Sequence, residues 1–343
     1  MRPGVASAIQ ALALLTLPGC SGVTSVQEEA VHFSNGDVTL AGSLFLPGGV
    51  GPHPAVVLLH GSGPQPRDES MARWFAEQGL AALAYDKRGV GESSGDFRQV
   101  PFMDLTGDGL AAITFLKGRS DVDPGRIGVW GLSQGGWLGP LAASQSRNVA
   151  FVIAVSGPGV SPGEQMIFYY GSQLRNQGQS ETAISAASAL RRQVWQYLAT
   201  GNGYAETKAA LAQARSRPWL RALQGQQDGL FAKSEAEILD KAKIRSSLWF
   251  RVELNYDPTD ALRKLSAPAL FLFGEKDELV PVEKSVEIIR TVGAESAHHD
   301  FTIKIFPGAD HGIYVTAANG ARTYAAGYLD TMRNWLRAKG FTQ

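Results

Sequence analysis

Short runs of apolar, β-branched residues alternate with longer amphipathic runs along most of the chain. The runs AVVLLH at 55–60, LAALAYD at 80–86 and IGVWG at 127–131 are continuously apolar, as expected for strands buried on both faces. Between the last two lies a segment, 104–117, with the apolar spacing of a helix. The alternation predicts an α/β fold, with a mostly parallel central sheet and helices on both of its faces.

The alternation stops between about 160 and 256 and then resumes. The interrupting stretch is rich in Ala, Gln, Arg and aromatic residues, which predicts an inserted helical cap over 160–256. Residues 28–159 and 257–343 then form the core domain. The other predicted elements are an antiparallel pair at 31–33 and 38–47, helices at 69–78, 134–145 and about 320–338, a turn at 121–126, and strands at 151–157, 268–274 and 301–308.

Residues 1–27 have the composition of an export signal followed by a linker. Arg2 precedes an apolar stretch over 5–17 that is too short to span a bilayer, and small residues follow it. LPGC at 17–20 resembles the bacterial lipobox, in which the cysteine is lipidated. We therefore expect export to the bacterial cell envelope, in the periplasm or anchored to the membrane through lipidated Cys20, or secretion. An ordinary signal peptide and a misassigned start are the alternatives.

The charge and the cysteine content exclude several classes of partner. Lys plus Arg and Asp plus Glu number 32 each, so the formal net charge is zero, and no block of like charge indicates nucleic-acid binding. Cys20 is the only cysteine, which excludes an intramolecular disulfide and a cysteine-rich metal site. We expect a small, weakly charged molecule as the partner.

Ser133 lies in the G-x-S-x-G frame GLSQG at 131–135, directly after a predicted strand and before a predicted helix. This strand-to-helix junction is the context in which the motif carries a nucleophile, whereas the motif alone also fits an ordinary turn. A serine hydroxyl is a poor nucleophile at neutral pH. It needs a neutral imidazole beside it and an acid that orients the imidazole.

The predicted base is His311, which lies in PGADHG just after the predicted strand at 301–308. Loops beyond the carboxyl ends of parallel strands reach a common site, so a histidine there can meet the serine. His298 and His299 precede the same strand and are predicted to lie at the opposite end of the sheet.

The predicted orienting acid is Asp277, in the loop that follows the buried strand at 268–274. Asp310 adjoins the candidate histidine and is badly placed to orient its neighbour's ring. Asp257 and Asp260 precede their strand, at the other end of the sheet. The predicted order along the chain is therefore nucleophile, acid and base.

That order, together with the strand pattern, resembles the α/β-hydrolases over essentially all of residues 30–340. LLHGSGPQPRDES at 58–70, YDKRGVGESSG at 85–95 and GEKD at 274–277 resemble in particular the dienelactone-hydrolase-like and prolyl-oligopeptidase-like esterases, many of which carry a helical cap. The resemblance implies an α/β-hydrolase fold and a serine acyl hydrolase that requires no metal or organic cofactor.

The resemblance also implies an oxyanion hole made of two backbone N–H groups. One belongs to Gln134, the residue after the nucleophile. The other comes from HGSG at 60–63, where Ser62 is the preferred donor and Gly61 and Gly63 are the alternatives.

Other polar and aromatic residues have structural alternatives. His60 is predicted to hold the oxyanion loop. Asp86 and Arg88 are predicted to form an internal salt bridge that shapes a loop, with a substrate clamp as the alternative. Arg67 and Asp68 flank the predicted mouth and fit either a structural or a functional role.

The aromatic residues of the cap are expected to line an acyl pocket as a group, although any one of them is more simply explained by packing within the cap. They are Phe168, Tyr169, Tyr170, Trp195, Tyr197, Tyr204, Trp219, Phe231, Trp249 and Phe250.

We expect a carboxylic-ester hydrolase that acts on small-molecule esters of short to medium acyl chain. A thioesterase or an aminopeptidase of the same chemistry is an alternative. A peptidase would need cap carboxylates, such as Glu164, Glu181 or Glu206, to hold the amino terminus of its substrate. An alternative of a different class is a non-catalytic envelope lipoprotein that uses the fold for binding. Such a protein would be expected to have lost a member of the triad.

Overall fold

A computed structural model describes residues 25–98, 100–226, 229–240 and 253–343 of the chain. The leader with Cys20 and the cap residues Trp249 and Phe250 lie outside the described residues, so the expectations for them are not addressed by the fold.

The centre of the fold is an eight-stranded sheet in the order β1-β2-β4-β3-β5-β6-β7-β8. The first two strands pair antiparallel with each other and β2 pairs antiparallel with β4, whereas all the later pairs are parallel. This is the mostly parallel sheet that the sequence predicts. The strands are β1 (Gln27–Asn35), β2 (Val38–Leu46), β3 (His53–Leu59), β4 (Ala81–Tyr85), β5 (Val122–Leu132), β6 (Val152–Val155), β7 (Ala269–Gly274) and β8 (Phe301–Phe306).

Helices cover both faces of the sheet because successive strand residues point to opposite sides. The helices that pack on the sheet are α1 (Glu69–Glu77), α2 (Phe102–Lys117), α3 (Gly135–Gln145), α9 (Pro258–Lys264), α10 (Val282–Ala294) and α11 (Tyr328–Ala338). Val57 packs into one buried cluster with α2, α3, α9 and α10, whereas its neighbours Val56 and Leu58 pack into another with α1 and α11. None of the helices in the described part of the chain is both long enough and apolar enough to span a membrane.

The described residues between β6 and α9 are largely helical and have a buried cluster of their own. Its helices are α4 (Pro162–Asn176), α5 (Glu181–Thr200), α6 (Tyr204–Ala214), α7 (Leu220–Gln224) and α8 (Glu235–Leu239). Ser161, Ser180 and Ser234 cap α4, α5 and α8 by accepting a backbone N–H of the first turn. Five of the aromatic residues noted in the sequence are buried within this cluster, namely Tyr170, Trp195, Tyr197, Trp219 and Phe231. Packing among these helices therefore accounts for their burial.

Two predicted boundaries differ from the structure. The predicted turn at 121–126 is the first part of β5, because Val122 pairs with His53 before an irregularity in the β3–β5 ladder. The predicted helix at 320–338 begins only at Tyr328. Before it lies a small antiparallel hairpin of β9 (Tyr314–Thr316) and β10 (Arg322–Tyr324). The Asn-Gly pair at 319–320, a strong hairpin signal, closes it with Gly320 at φ 81°.

The predicted salt bridge between Asp86 and Arg88 is wrong, because each residue has a different partner. Asp86 pairs with Arg67 at 2.7 Å, and Arg88 pairs with Asp108 on α2 at 2.6 Å. The chain turns after Asp86, where the N–H of Val90 donates to the carbonyl of residue 87, so the two side chains face different elements. Burial alone would raise the pKa of Asp86, but hydrogen bonds from Arg67 lower it to about 2.

We predict that Asp108→Asn lowers the free energy of unfolding by about 3–5 kcal/mol, because it leaves the charge of Arg88 without its partner in the interior. The Asp108 and Arg88 side chains are only 2% and 8% exposed. Urea denaturation followed by circular dichroism measures the change.

The matched control is Asp96→Asn, which removes an exposed pair with Arg98 at 2.8 Å. We expect no measurable loss of stability there, since water screens exposed pairs. Equal effects of the two substitutions would contradict the account.

Candidate active site

Ser133 lies on a sharp turn between β5 and α3. Its φ is 57°, in the left-handed region that residues with a Cβ rarely adopt, and its backbone N–H donates to the carbonyl of Val155 at 2.8 Å. A strained strand-to-helix turn of this kind exposes a serine hydroxyl at the carboxyl end of the sheet. The side chain is half-buried, so it is accessible from that end.

Glycines on both sides of Ser133 make this turn possible. A Cβ on Gly131 would lie 2.3 Å from the carbonyl oxygen of Gly135, and a Cβ on Gly136 would lie 2.3 Å from the Cα of Gly157. Either substitution would force the backbone apart. The glycines thus bring the first turn of α3 against both the end of its own strand and the end of β6.

Asp277 and His311 meet across the loops that follow β7 and β8. The Asp277 Oδ2 lies 2.8 Å from the His311 Nδ1, and the Asp277 Oδ1 accepts the N–H groups of Leu279 and Val280 at 2.8 and 2.9 Å. The carboxylate is held on both oxygens and its side chain is fully buried. A proton on Nδ1 donated to Asp277 leaves Nε2 as the proton acceptor, which is the tautomer a general base needs.

Ser156 also holds the histidine loop, a role that the sequence analysis missed. Its buried Oγ donates to the backbone carbonyl of His311 at 2.8 Å, and its own φ is 48°. Ser156 directly follows β6, just as Ser133 follows β5. A polar residue at the carboxyl end of a predicted buried strand was the available signal.

The structure joins two members of the predicted triad directly. No hydrogen bond links the Ser133 hydroxyl to His311 or to any other side chain in the part of the chain that the structure describes. Nucleophile–base hydrogen bonds are often long before substrate binds and tighten in the reactive complex. The assignment of Ser133, Asp277 and His311 as nucleophile, acid and base stays a prediction.

The candidate oxyanion donors are distinguished by what their N–H groups do. The N–H of Gly61 donates to the Gln65 Oε1 at 2.7 Å and is therefore occupied. Within the described ranges the N–H groups of Ser62 and Gln134 have no hydrogen-bond partner. Ser62 and Gln134, but not Gly63, line a common cavity. The geometry therefore favours Ser62 over its neighbours, as the sequence analysis does.

The cavity beside these two N–H groups has a volume of about 50 Å³. Its apolar wall comes mainly from residues 97–137, and Pro162, Gln165 and Met166 of α4 line its other side. None of the cap aromatic residues noted in the sequence and described by the structure lines it, so the expectation that they form the pocket as a group is wrong for this cavity. The apolar core residues that line it are Phe97, Val100, Phe102, Leu105 and Trp137.

Two charged residues that the sequence analysis missed line the same cavity. The Lys87 Nζ donates to the carbonyl of Gly61 and to the Gln134 Oε1, both at 2.8 Å, and burial lowers the pKa of Lys87 to about 8. Glu253 accepts the backbone N–H of Phe102 at 2.7 Å, and burial raises the pKa of Glu253. Lys87 follows a predicted buried strand, which was a usable signal, whereas nothing in the sequence marks Glu253.

The remaining polar residues near the mouth have structural partners. Asp68 caps α1 through the N–H of Met71 at 3.0 Å, and Arg67 bonds Asp86 and Glu92. Among the residues described, no group of three or more His, Cys, Asp or Glu side chains is placed to hold a metal ion.

His60 lies directly after β3, at the start of the loop that contains the candidate donor Ser62. Its Nε2 donates to the carbonyl of Tyr85 at 2.5 Å, and its ring packs edge-on against the Tyr85 ring at 4.6 Å between centroids. Burial and then the nearby charge of Lys87 lower the pKa of His60 to about 4. The ring is therefore neutral at physiological pH and acts as a fixed donor.

Comparisons with known proteins give one family and several relatives. Residues 51–316 match the family described as serine aminopeptidase, S33. The chain is 26% identical to an uncharacterized 31.7 kDa protein in the traX-finO intergenic region of Escherichia coli, over 75% of this chain and 86% of that protein. It is 33% identical to the esterase EstD of Thermotoga maritima over 39% of this chain, an alignment that spans only 35% of EstD.

The fold also resembles that of solved structures. The crystal structure of the α/β-hydrolase GrgF from Penicillium sp. sh18 superposes with a TM-score of 0.54 at 21% identity, over 83% of this chain and 91% of that one. At this identity the likeness establishes the fold alone.

We predict that His60 makes stability depend on pH between about 6.5 and 4. The unfolded chain binds a proton on this ring near pH 6.5, whereas the folded protein binds it only near pH 4. The unfolded state therefore holds more protons in this interval, and the free energy of unfolding falls as the pH is lowered through it. For His60→Gln, which keeps a donor to Tyr85, we expect the free energy of unfolding to fall less steeply as the pH is lowered. Urea denaturation at a series of pH values measures this.

The control is His298→Gln, which removes an exposed ring. Its free energy of unfolding should fall with decreasing pH as steeply as that of the wild type. A His60→Gln protein whose stability falls as steeply as that of the wild type would refute this role.

Proposed function

Because the chain belongs to the serine aminopeptidase S33 family of α/β-hydrolases, we propose that it is a serine carboxylesterase that cleaves small-molecule esters of short to medium acyl chain. The chain is a hydrolase, as its esterase relative and its family indicate. The proposal adds the acyl-serine mechanism and the substrate class. The main support for this proposal is the 2.8 Å hydrogen bond between Asp277 and His311. It lies at the edge of the sheet where Ser133 forms the strained turn.

The proposed mechanism follows from these positions. The His311 Nε2 takes the proton of the Ser133 hydroxyl while Oγ attacks the acyl carbonyl, and Asp277 stabilises the imidazolium that forms. The N–H groups of Ser62 and Gln134 stabilise the negative charge on the carbonyl oxygen. His311 then protonates the leaving alcohol. A water molecule, deprotonated by His311, attacks the acyl-serine, which releases the carboxylic acid and restores Ser133.

We propose that the cavity lined by Ser62 and Gln134 receives the acyl group, and its size then supports a small one. Its volume of about 50 Å³ is well below the roughly 300–1,000 Å³ of pockets that enclose drug-sized ligands. The wall is mostly apolar, which suits an alkyl chain. We therefore propose acetyl to butyryl esters as the best substrates and longer acyl chains as poorer ones.

An aminopeptidase is the second candidate, and Glu253 is the observation that favours it. A carboxylate in the cavity could hold the ammonium group of a peptide. Glu164 and Glu181, by contrast, form ion pairs with Arg192 and Arg175. The ammonium of Lys87 lines the same cavity and would repel a second cation, which favours the ester substrate.

We predict that the wild type hydrolyses p-nitrophenyl acetate and butyrate with a higher kcat/KM than the octanoate and decanoate. In Ser133→Ala, kcat should fall by roughly 10⁴-fold or more, because the triad acts as one unit. Acyl thioesters and aminoacyl p-nitroanilides, assayed beside the esters, test the two alternatives within the same chemistry.

The control is Ser144→Ala, on the helix that follows the turn, where the hydroxyl donates to the Leu141 carbonyl. It should keep wild-type turnover. Wild-type rates in Ser133→Ala would contradict the proposal, and a folded wild type that cleaves none of these substrates would favour a non-catalytic binding protein.

We also propose that the protein is exported and anchored in the bacterial envelope through lipidated Cys20, on the strength of LPGC at 17–20. Metabolic labelling with an alkynyl fatty acid in a bacterial host should label the wild type and not Cys20→Ser. Equal labelling of the two proteins would exclude Cys20 as the lipidated residue.

A further inference from the structure

We propose that Lys87 is a positioning residue for the oxyanion hole, whose ammonium group holds the two N–H donors of Ser62 and Gln134 in their working directions. This inference rests on the proposed acyl-serine chemistry and assigns a role to a side chain that the mechanism above does not use.

The ammonium of Lys87 connects the two halves of the candidate oxyanion hole. Its Nζ lies 2.8 Å from the carbonyl oxygen of Gly61, in the loop after β3, and 2.8 Å from the Gln134 Oε1, in the turn after β5. Lys87 is only 2% exposed, and its own N–H donates to the carbonyl of Gln65 at 3.2 Å. The side chain therefore joins two loops that reach the site from different strands.

The contact with Gly61 acts on the Ser62 N–H through one peptide bond. The carbonyl of Gly61 and the N–H of Ser62 belong to the same peptide unit, which is planar and trans, so their directions are opposite and fixed relative to each other. Holding the carbonyl toward Lys87 therefore points the N–H away from it. A charged donor on the carbonyl also polarises the unit and strengthens the N–H as a donor.

The contact with Gln134 restrains the second donor. Gln134 is the first residue after Ser133 and precedes α3, and its side chain is buried against Lys87. Its backbone N–H is the one implied to bind the oxyanion. A residue whose side chain and following helix are both fixed has little freedom to turn its N–H away from the site.

A role in stability alone does not explain a buried ammonium at this position. In the ranges that the structure describes, Lys87 has no carboxylate at ion-pair distance, and its partners are a carbonyl oxygen, an amide oxygen and the face of the Phe97 ring, 5.4 Å from its centroid. Burying such a charge costs free energy, and an apolar side chain would avoid that cost. With a pKa of about 8 the group is still mostly charged at neutral pH.

The test is Lys87→Met, whose unbranched side chain is one atom shorter and which removes the charge and both hydrogen bonds. Loss of one oxyanion donor typically lowers kcat by roughly 10²–10³-fold. Lys87 orients the two N–H donors but does not itself bind the oxyanion, so its loss should cost less than the loss of a donor. We expect kcat on p-nitrophenyl butyrate to fall by about 10–100-fold, with KM changed by less than about threefold.

Infrared spectroscopy of the acyl-enzyme provides the readout that a merely structural role would not move. The carbonyl stretch of the acyl-serine lies at lower frequency when both N–H groups polarise it. With an isotope-edited acyl carbonyl, we expect the band of Lys87→Met to shift to higher frequency than in the wild type. A folded variant with wild-type kcat, or with a lower kcat and an unshifted band, would overturn the inference.

Two further variants distinguish a loss of donor orientation from misfolding. Lys87→Gln keeps one neutral donor group, so its kcat and its band position should lie between those of the wild type and Lys87→Met. If Lys87→Gln folds and Lys87→Met does not, a wild-type kcat and band position in Lys87→Gln would overturn the inference. Arg88→Gln disrupts the neighbouring buried pair with Asp108 and should lower stability with an unshifted band. A shift of the same size in Arg88→Gln would assign the effect to general destabilisation and also overturn it.

The same experiment separates the inference from the function on which it rests. A wild type that forms no acyl-enzyme refutes the proposed function and the inference together. A wild type that forms one, beside a Lys87→Met protein with the same kcat and band, refutes the inference alone.

Discussion

The tight turn at Ser133 is the constraint on which the rest of the site depends. A serine at φ 57° is tolerated only because the glycines beside it let α3 approach β5 and β6 at distances where any Cβ would clash. That approach places the first turn of α3 at the carboxyl edge of a parallel sheet. Because neighbouring parallel strands all end at this edge, the loops after them converge on the same point.

The polar groups of the site are held mainly through the backbone. Asp277 accepts two N–H groups of its own loop, Ser156 donates to the carbonyl of His311, and Lys87 donates to the carbonyl of Gly61. Each contact fixes the direction of a loop as well as of one side chain. Catalysis by oriented N–H groups requires such pre-organisation, since the donors must already point to where the charge will form.

The sequence predicted the parallel sheet, the strand-to-helix turn at Ser133 and the loop positions of Asp277 and His311, because these follow from local pattern and strand order. It could not predict partners that depend on three-dimensional packing. Asp86 and Arg88 are close in the chain yet bond to Arg67 and Asp108 on separate elements. The β9–β10 hairpin was missed although its Asn-Gly turn was visible, because the run after His311 carries little apolar alternation. The lining of the cavity could not be predicted from the sequence either, since its aromatic residues, Phe97, Phe102 and Trp137, lie before the aromatic-rich stretch at 160–256.

The proposed mechanism requires that Ser133 becomes acylated during turnover. Rapid acid quenching of the wild type during hydrolysis of p-nitrophenyl acetate, followed by peptide mapping with mass spectrometry, measures this. We expect an acetyl group on the peptide that contains Ser133, formed within one turnover and lost at a rate compatible with kcat. Turnover with no covalent adduct, or with the acetyl group on another residue, would contradict it.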